Sequence, residues 1–144
     1  TVGADHEDPS RAYPLEVHGA IHRDRCSSCD RRTPGRNDID ASSTDSLPRC
    51  ENCQSLLRPD VVWFGEALDS TIINDSFEAA RSADLCLVIG TSAVVYPAAS
   101  VPEITLDSGG AVIEVNPQET HLSPRSSVSL RGPAGELIPA ILEA

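Results

Sequence analysis

Methionine and lysine are both missing from this chain, so all 11 basic residues are arginine. A chain without even an initiator methionine reads as a fragment or a processed piece of a longer polypeptide. No apolar run approaches the roughly 20 residues that span a bilayer, which excludes a membrane helix and, with it, a membrane partner. Thr1 to Ser10 is polar and acidic and lacks the basic end, apolar middle and small-residue cleavage site of a secretory signal, so a cytoplasmic location is expected. Positive charge is scarce too: 11 basic residues face 22 acidic ones, and a net charge of -11 repels phosphate backbones instead of releasing counterions from them. Nucleic acid is thereby excluded as a general partner.

What is present is a chain of 144 residues, 40% of them hydrophobic, the size of one core with a small satellite module. Residues 1–14 show neither helical nor strand periodicity and read as an irregular N-terminal segment. A short apolar stretch runs from Leu15 to about Arg25. Asp30 to Arg49, rich in Arg, Ser, Asp and Pro, reads as a loop. Arg58 to Gly65 carries Val61-Val62-Trp63-Phe64 and a closing glycine, the pattern of a short strand entering a turn. From Asp69 to Ser82, Ile72, Ile73, Phe77 and Ala80 fall near the spacing of an amphipathic helix, with Asp69 or Ser70 as its cap. Leu85-Cys86-Leu87-Val88-Ile89 is the continuous apolar run of a strand buried on both faces of a parallel sheet. Pro97 to Ser108 reads as a crossover helix, Ala111 to Val115 and Val128 to Leu130 as further strands, and Glu136 to Leu142 as a last helix. Strands alternating with helices predict an α/β fold.

Cys26-x2-Cys29 and Cys50-x2-Cys53, separated by twenty residues, have the spacing of a four-thiolate zinc site, because each short turn presents two sulfurs to one metal. Two disulfides are the alternative, disfavoured in a reducing compartment. Four sulfurs close the shell, so such a zinc holds the fold and does no chemistry. On these residues alone a stand-alone zinc-ribbon module that binds a protein stays open. Cys86 lies within an apolar run and reads as core.

Leu15-Glu16-Val17-His18-Gly19, the paired cysteines, Val61-Val62-Trp63-Phe64-Gly65-Glu66 and Gly90-Thr91-Ser92, in this order and spacing, resemble the sirtuin family of NAD-dependent protein-lysine deacylases. Val115-Asn116-Pro117 and Arg131-Gly132-Pro133-Ala134 extend the resemblance over Leu15 to Leu142. Trp63-Phe64-Gly65-Glu66 and Tyr96-Pro97-Ala98-Ala99 look most like the bacterial and mitochondrial branch that includes desuccinylases. The resemblance implies the C-terminal half of a Rossmann-like parallel sheet (15–25 and 58–144) with a small four-Cys zinc-binding module (26–57).

It also implies transfer of an acetyl- or succinyl-type group from lysine to ADP-ribose, with NAD consumed and nicotinamide released. The partners would be acylated-lysine proteins or peptides. His18 falls on the family's general base, a task that suits an imidazole because it titrates near neutrality. Gly90, Thr91, Ser92, Asn116, Pro117, Gln118 and Ala134 fall on the adenosine side of NAD. Val61, Val62, Trp63, Phe64, Gly65 and Glu66 fall on the edge along which the substrate peptide adds as a strand. By residue type alone the glycines, serine, asparagine and proline are ordinary turn formers, and Val61 to Phe64 is a core strand with Trp63 buried. His6, His22 and His121 match no family position and read as surface residues.

The Gly-Ala-Gly phosphate loop and Asp-Phe-Arg motif of the family's first half are absent, and Thr1-Val2-Gly3-Ala4-Asp5 stands where Thr-Gln-Asn-x-Asp is expected. An incomplete or inactive remnant of a sirtuin is therefore a third reading.

Overall fold

The computed structural model describes residues 14–143. All of the expected irregular N-terminal segment but Pro14 lies outside the described residues, and so does Thr1-Val2-Gly3-Ala4-Asp5. The chain forms two compact units that divide after Leu68.

The first unit is an antiparallel sheet of β1 (Gly19–Cys26), β2 (Arg32–Pro34) and β3 (Leu57–Val61), in the order β2-β1-β3. Its strands are short and polar, so apolar burial alone does not hold them. Asp60, buried in β3, accepts from Arg23 Nε of β1 at 2.6 Å and from Arg32 Nε of β2 at 2.9 Å, clamping all three strands with one carboxylate. Burial pushes that carboxyl up, but the two guanidiniums outweigh it and hold it below the ordinary range. The same clamp corrects the expectation of a loop over Asp30 to Arg49 at its start only, since residues 35–48 are irregular as expected. Arg32 reaches a partner 28 residues away and draws Arg32–Pro34 into the sheet.

Where β1 begins, a side chain is excluded. Gly19 has φ +76, and a Cβ there would lie 2.0 Å from the carbonyl oxygen of Asp60, so β1 and β3 close on each other only through a glycine.

The second unit is a parallel sheet of β4 (Leu85–Ile89), β5 (Ala111–Val115) and β6 (Val128–Leu130), in the order β4-β5-β6. α1 (Ser70–Ser82) precedes it, α2 (Ser100–Asp107) joins β4 to β5, and α3 (Ala134–Leu142) follows β6. Asp69 caps α1, its carboxylate accepting from the N–H groups of Thr71 at 2.9 Å and Ile72 at 3.3 Å, a contribution of about 1 kcal/mol. α1 buries Ile73, Ser76 and Ala80, spaced along one face. Thr105 of α2 donates to the Ala80 carbonyl at 3.0 Å and fixes the two helices together.

The core of this unit gathers Val88, Val112 and Leu122, with Cys86, Ala93 and Leu106 packed against it. Val112 and Val115 are fully buried, each worth about 1.5–3 kcal/mol. The core reading of Cys86 thus holds in part, as a half-buried flank. β4, expected to be buried on both faces, is covered on one. α2 supplies Leu106 against the side carrying Cys86 and Val88. Alternate side chains point the other way, leaving Leu85, Leu87 and Ile89 40–49% exposed.

Candidate functional site

Two chain reversals build the sulfur cluster. In the first, the N–H of Cys26 donates to the Arg31 carbonyl at 2.9 Å, and in the second the N–H of Cys50 donates to the Ser55 carbonyl at 2.8 Å. The residue after each second cysteine, Asp30 (φ 57) and Gln54 (φ 62), takes the left-handed conformation that turns the chain back. The result is a pair of matching knuckles. Ser28 and Cys29 aim their N–H groups at the Cys26 sulfur, at 3.4 and 3.5 Å.

The four sulfurs lie within 4.8 Å of one another, with Cys26 to Cys53 at 3.4 Å, Cys29 to Cys53 at 3.6 Å and Cys29 to Cys50 at 3.7 Å. A disulfide needs about 2.05 Å, so these are four free thiols, as the two-disulfide alternative would not allow. A tetrahedron of sulfurs about 2.3 Å from a central zinc has edges near 3.8 Å, close to these separations. The donor set fits the metal. The backbone N–H and hydroxyl of Ser55 lead in lowering the Cys53 thiol to about 6, toward the thiolate a metal requires. Cys26, despite the N–H groups of Cys29 and Ser28, is pushed up to about 11 by burial and by the Cys53 and Cys29 sulfurs, and a metal would have to displace its proton.

His18 sits, exposed, immediately before β1, and its carbonyl accepts from the N–H of Val62 at 3.0 Å. The imidazole position and the Val61 to Glu66 segment are therefore neighbours within the first unit. The expected short strand entering a turn is there but stops early: β3 ends at Val61, and Trp63 to Glu66 form a turn closed by the Glu66 N–H on the Trp63 carbonyl at 2.9 Å. Arg58 causes the departure. It donates to the Val61 carbonyl at 2.9 Å, pairs with Glu66 at 2.8 Å and lays its guanidinium over the Trp63 ring at 4.7 Å. Glu66 in turn accepts from the Trp63 N–H at 3.0 Å. Trp63 is 56% exposed and Phe64 98%, which overturns the alternative of a buried Trp63. This Arg58 lock escaped sequence reading, for which an Arg and a Glu eight residues apart carry no signal.

In the second unit the strand ends line up. Ile89 pairs with Val115 and Val115 with Leu130, so Gly90, Asn116 and Arg131 are each the first residue past a carboxyl end. Gly90 (φ +64) turns the chain out, its N–H held by the Val115 carbonyl at 3.0 Å. Asn116 Nδ2 donates to the Thr91 carbonyl at 2.7 Å, and its Oδ1 receives the Gln118 N–H at 3.1 Å. Gly90, Thr91, Ser92, Pro117 and Gln118 stay exposed, and Ala134 opens α3 beyond β6. All seven predicted cofactor residues thus belong to one edge of one sheet, where open α/β sheets bind their ligands.

Behind that edge lies a feature the sequence analysis passed over, the fully buried Glu114 of β5. Its oxygens accept from Thr120, from Ser123 at 2.6 Å, from Ser129 at 3.2 Å and from Arg131 at 2.8 Å. Burial pushes this carboxyl up, but the three hydroxyls and the guanidinium together outweigh burial and hold it down to about 2.

The profile of the Sir2 family matches residues 6–97, more than half of the chain. The chain belongs to the Sir2 family. Among its relatives, the NAD-dependent protein deacylase of Thermococcus sibiricus is 44% identical over 143 residues, an alignment that takes in 95% of this chain and 55% of the relative. NAD-dependent protein deacylase 1 of Archaeoglobus fulgidus is 44% identical over 133 residues, with 92% and 53% covered. A solved complex of a Sir2 homologue with NAD superposes with a TM-score of 0.80 at 43% identity, covering 90% of this chain and 49% of that one. A Sir2 complex with a p53 peptide and NAD superposes with a TM-score of 0.79 at 32% identity, covering 90% and 54%. This Sir2-family chain spans about half the length of the relatives it matches.

Proposed function

We propose that this chain forms the zinc module and the adenosine-side nucleotide surface of an NAD-dependent protein-lysine deacylase. The observation that carries the reading is the common edge of β4, β5 and β6, where Gly90 to Ser92, Asn116 to Gln118 and Ala134 stand together beyond the carboxyl ends of parallel strands. Exposed backbone N–H groups and hydroxyls there suit a ribose and an adenine edge. NAD, when bound, supplies ADP-ribose as the acyl acceptor, with nicotinamide as leaving group.

His18 is the general base of this proposal, its imidazole accepting a proton from a ribose hydroxyl. Gly19 and the Val62 N–H hold its backbone in place. β3 is an edge strand of its sheet, and the acyl-lysine peptide adds along it and the Val62 to Glu66 turn through main-chain hydrogen bonds. Cys26, Cys29, Cys50 and Cys53 would hold a zinc that cross-links the two knuckles and leaves no open position for substrate. A cytoplasmic setting, which keeps four thiols reduced, belongs to the same reading.

The experiment is a product balance. With an acetyl-lysine peptide and NAD, the protein that carries this chain is expected to release deacylated peptide and nicotinamide in equal amounts. Deacylation that proceeds without NAD would overturn the proposal.

A further inference from the structure

Seven of the 11 arginines lie between Arg23 and Arg58. Four are committed to carboxylates at 2.6–2.9 Å: Arg23 and Arg32 to Asp60, Arg25 to Asp30, and Arg58 to Glu66. The other three, Arg31, Arg36 and Arg49, all line one cavity of about 320 Å³ in the first unit. Their positions are held by backbone. The Arg31 carbonyl receives the Cys26 N–H, and Arg49 adjoins Cys50 and bridges to Leu56. Arg36 follows Gly35, whose N–H donates to the His22 carbonyl at 2.9 Å, and where a Cβ would lie 2.7 Å from the His22 carbonyl carbon.

Among the described residues none of the three forms a close pair with a carboxylate. Glu51 is the cavity's one carboxylate, 3.7 Å from Arg31 with both side chains at least half exposed, beyond hydrogen-bond distance and worth little. Arg49 donates to a neutral acceptor, the Gln54 carbonyl, at 3.1 Å. Arg36 has no side-chain partner among the described residues. Among the lining side chains three guanidiniums face one carboxylate, and the only other negative charge at the cavity is the zinc–thiolate shell that Cys50 brings to its wall, net about -2 when loaded. The guanidiniums are not spent on the sulfurs either. Among the described residues those accept from backbone N–H groups, from Asn52 and from Ser55, and from no guanidinium.

We propose that this cavity is an anion site for a phosphate monoester group, gripped by Arg31, Arg36 and Arg49. A phosphate monoester carries close to two negative charges at neutral pH, and guanidinium forks not already paired with a carboxylate match its oxygens. Pro34 and Leu57 give the cavity an apolar wall that strengthens the attraction.

The test is calorimetric titration of the zinc-loaded chain with inorganic phosphate, with a phosphoserine peptide and with the same peptide unphosphorylated. Saturable phosphate binding in the millimolar range is expected, falling with added salt. Arg36→Gln and Arg49→Gln should each weaken it about tenfold, with zinc content and circular dichroism unchanged as evidence of folding. A phosphopeptide that binds more tightly than phosphate marks a protein partner, and one that gains nothing marks a small phosphorylated ligand. If the arginines serve only as counterions to the metal–sulfur shell, the zinc-loaded chain shows no saturable phosphate binding. That result, or an Arg31→Gln, Arg36→Gln double variant that binds like the wild type, would overturn the proposal.

Discussion

Replacing Glu114 by glutamine tests whether the buried ionic network behind the strand ends holds the second unit together. Its carboxyl falls from an ordinary value of 4.5 to about 2 on folding. At 1.36 kcal/mol per pH unit, that depression contributes about 3 kcal/mol at neutral pH. The side chain is 1% exposed, so solvent screening takes little from this figure. Because folding lowers the pKa, the stabilisation is complete above about pH 4.5 and drains away as pH falls toward about 2. Glu114→Gln mimics the protonated acid and leaves Arg131 without its carboxylate, so it should cost about 3 kcal/mol at pH 7 and progressively less below pH 4.5. Urea unfolding followed by the helical far-ultraviolet signal is the assay, because α1, α2 and α3 all belong to the second unit. A variant as stable as the wild type at neutral pH, or a gap that fails to narrow in acid, would refute the reasoning.

Metal analysis should find one zinc per chain. A chelator should unfold the first unit, read by the fluorescence of the single Trp63, while the helical signal of the second unit persists; a metal-free sample with native fluorescence would count against the site. The isolated chain should self-associate through β4, an edge strand without proline or charge that leaves Leu85, Leu87 and Ile89 exposed. Light scattering should show Leu87→Lys shifting it toward monomer, and a monomeric wild type would contradict this expectation.

Legibility in the sequence followed the range of the interactions. The strand at Ala111 to Val115, the β4 run and the α1 face were readable because apolar order and a capping Asp69 are local signals. α2 begins at Ser100, three residues later than expected, since Ala99 still closes a turn on Val95. The misses were long-range and ionic. Nothing near Arg32 announces Asp60, nothing near Arg58 announces the lock on Glu66 and Trp63 that stops β3 at Val61, and nothing in Ala-Val-Ile-Glu-Val announces that Glu114 is as fully buried as Val112 and Val115. The four cysteines came together as their spacing predicts, because each pair needs only one local turn. The left-handed Asp30 and Gln54 behind them were invisible, Gln54 most of all, since glutamine seldom takes that conformation.

The central claim, that this chain contributes the general base of an NAD-dependent deacylase, meets its most direct test at His18. In the protein that carries this chain, nicotinamide release coupled to deacylation of an acetyl-lysine peptide should be abolished by His18→Ala, with zinc content unchanged. Near-normal turnover by that variant would assign the proton transfer to another residue and contradict the account.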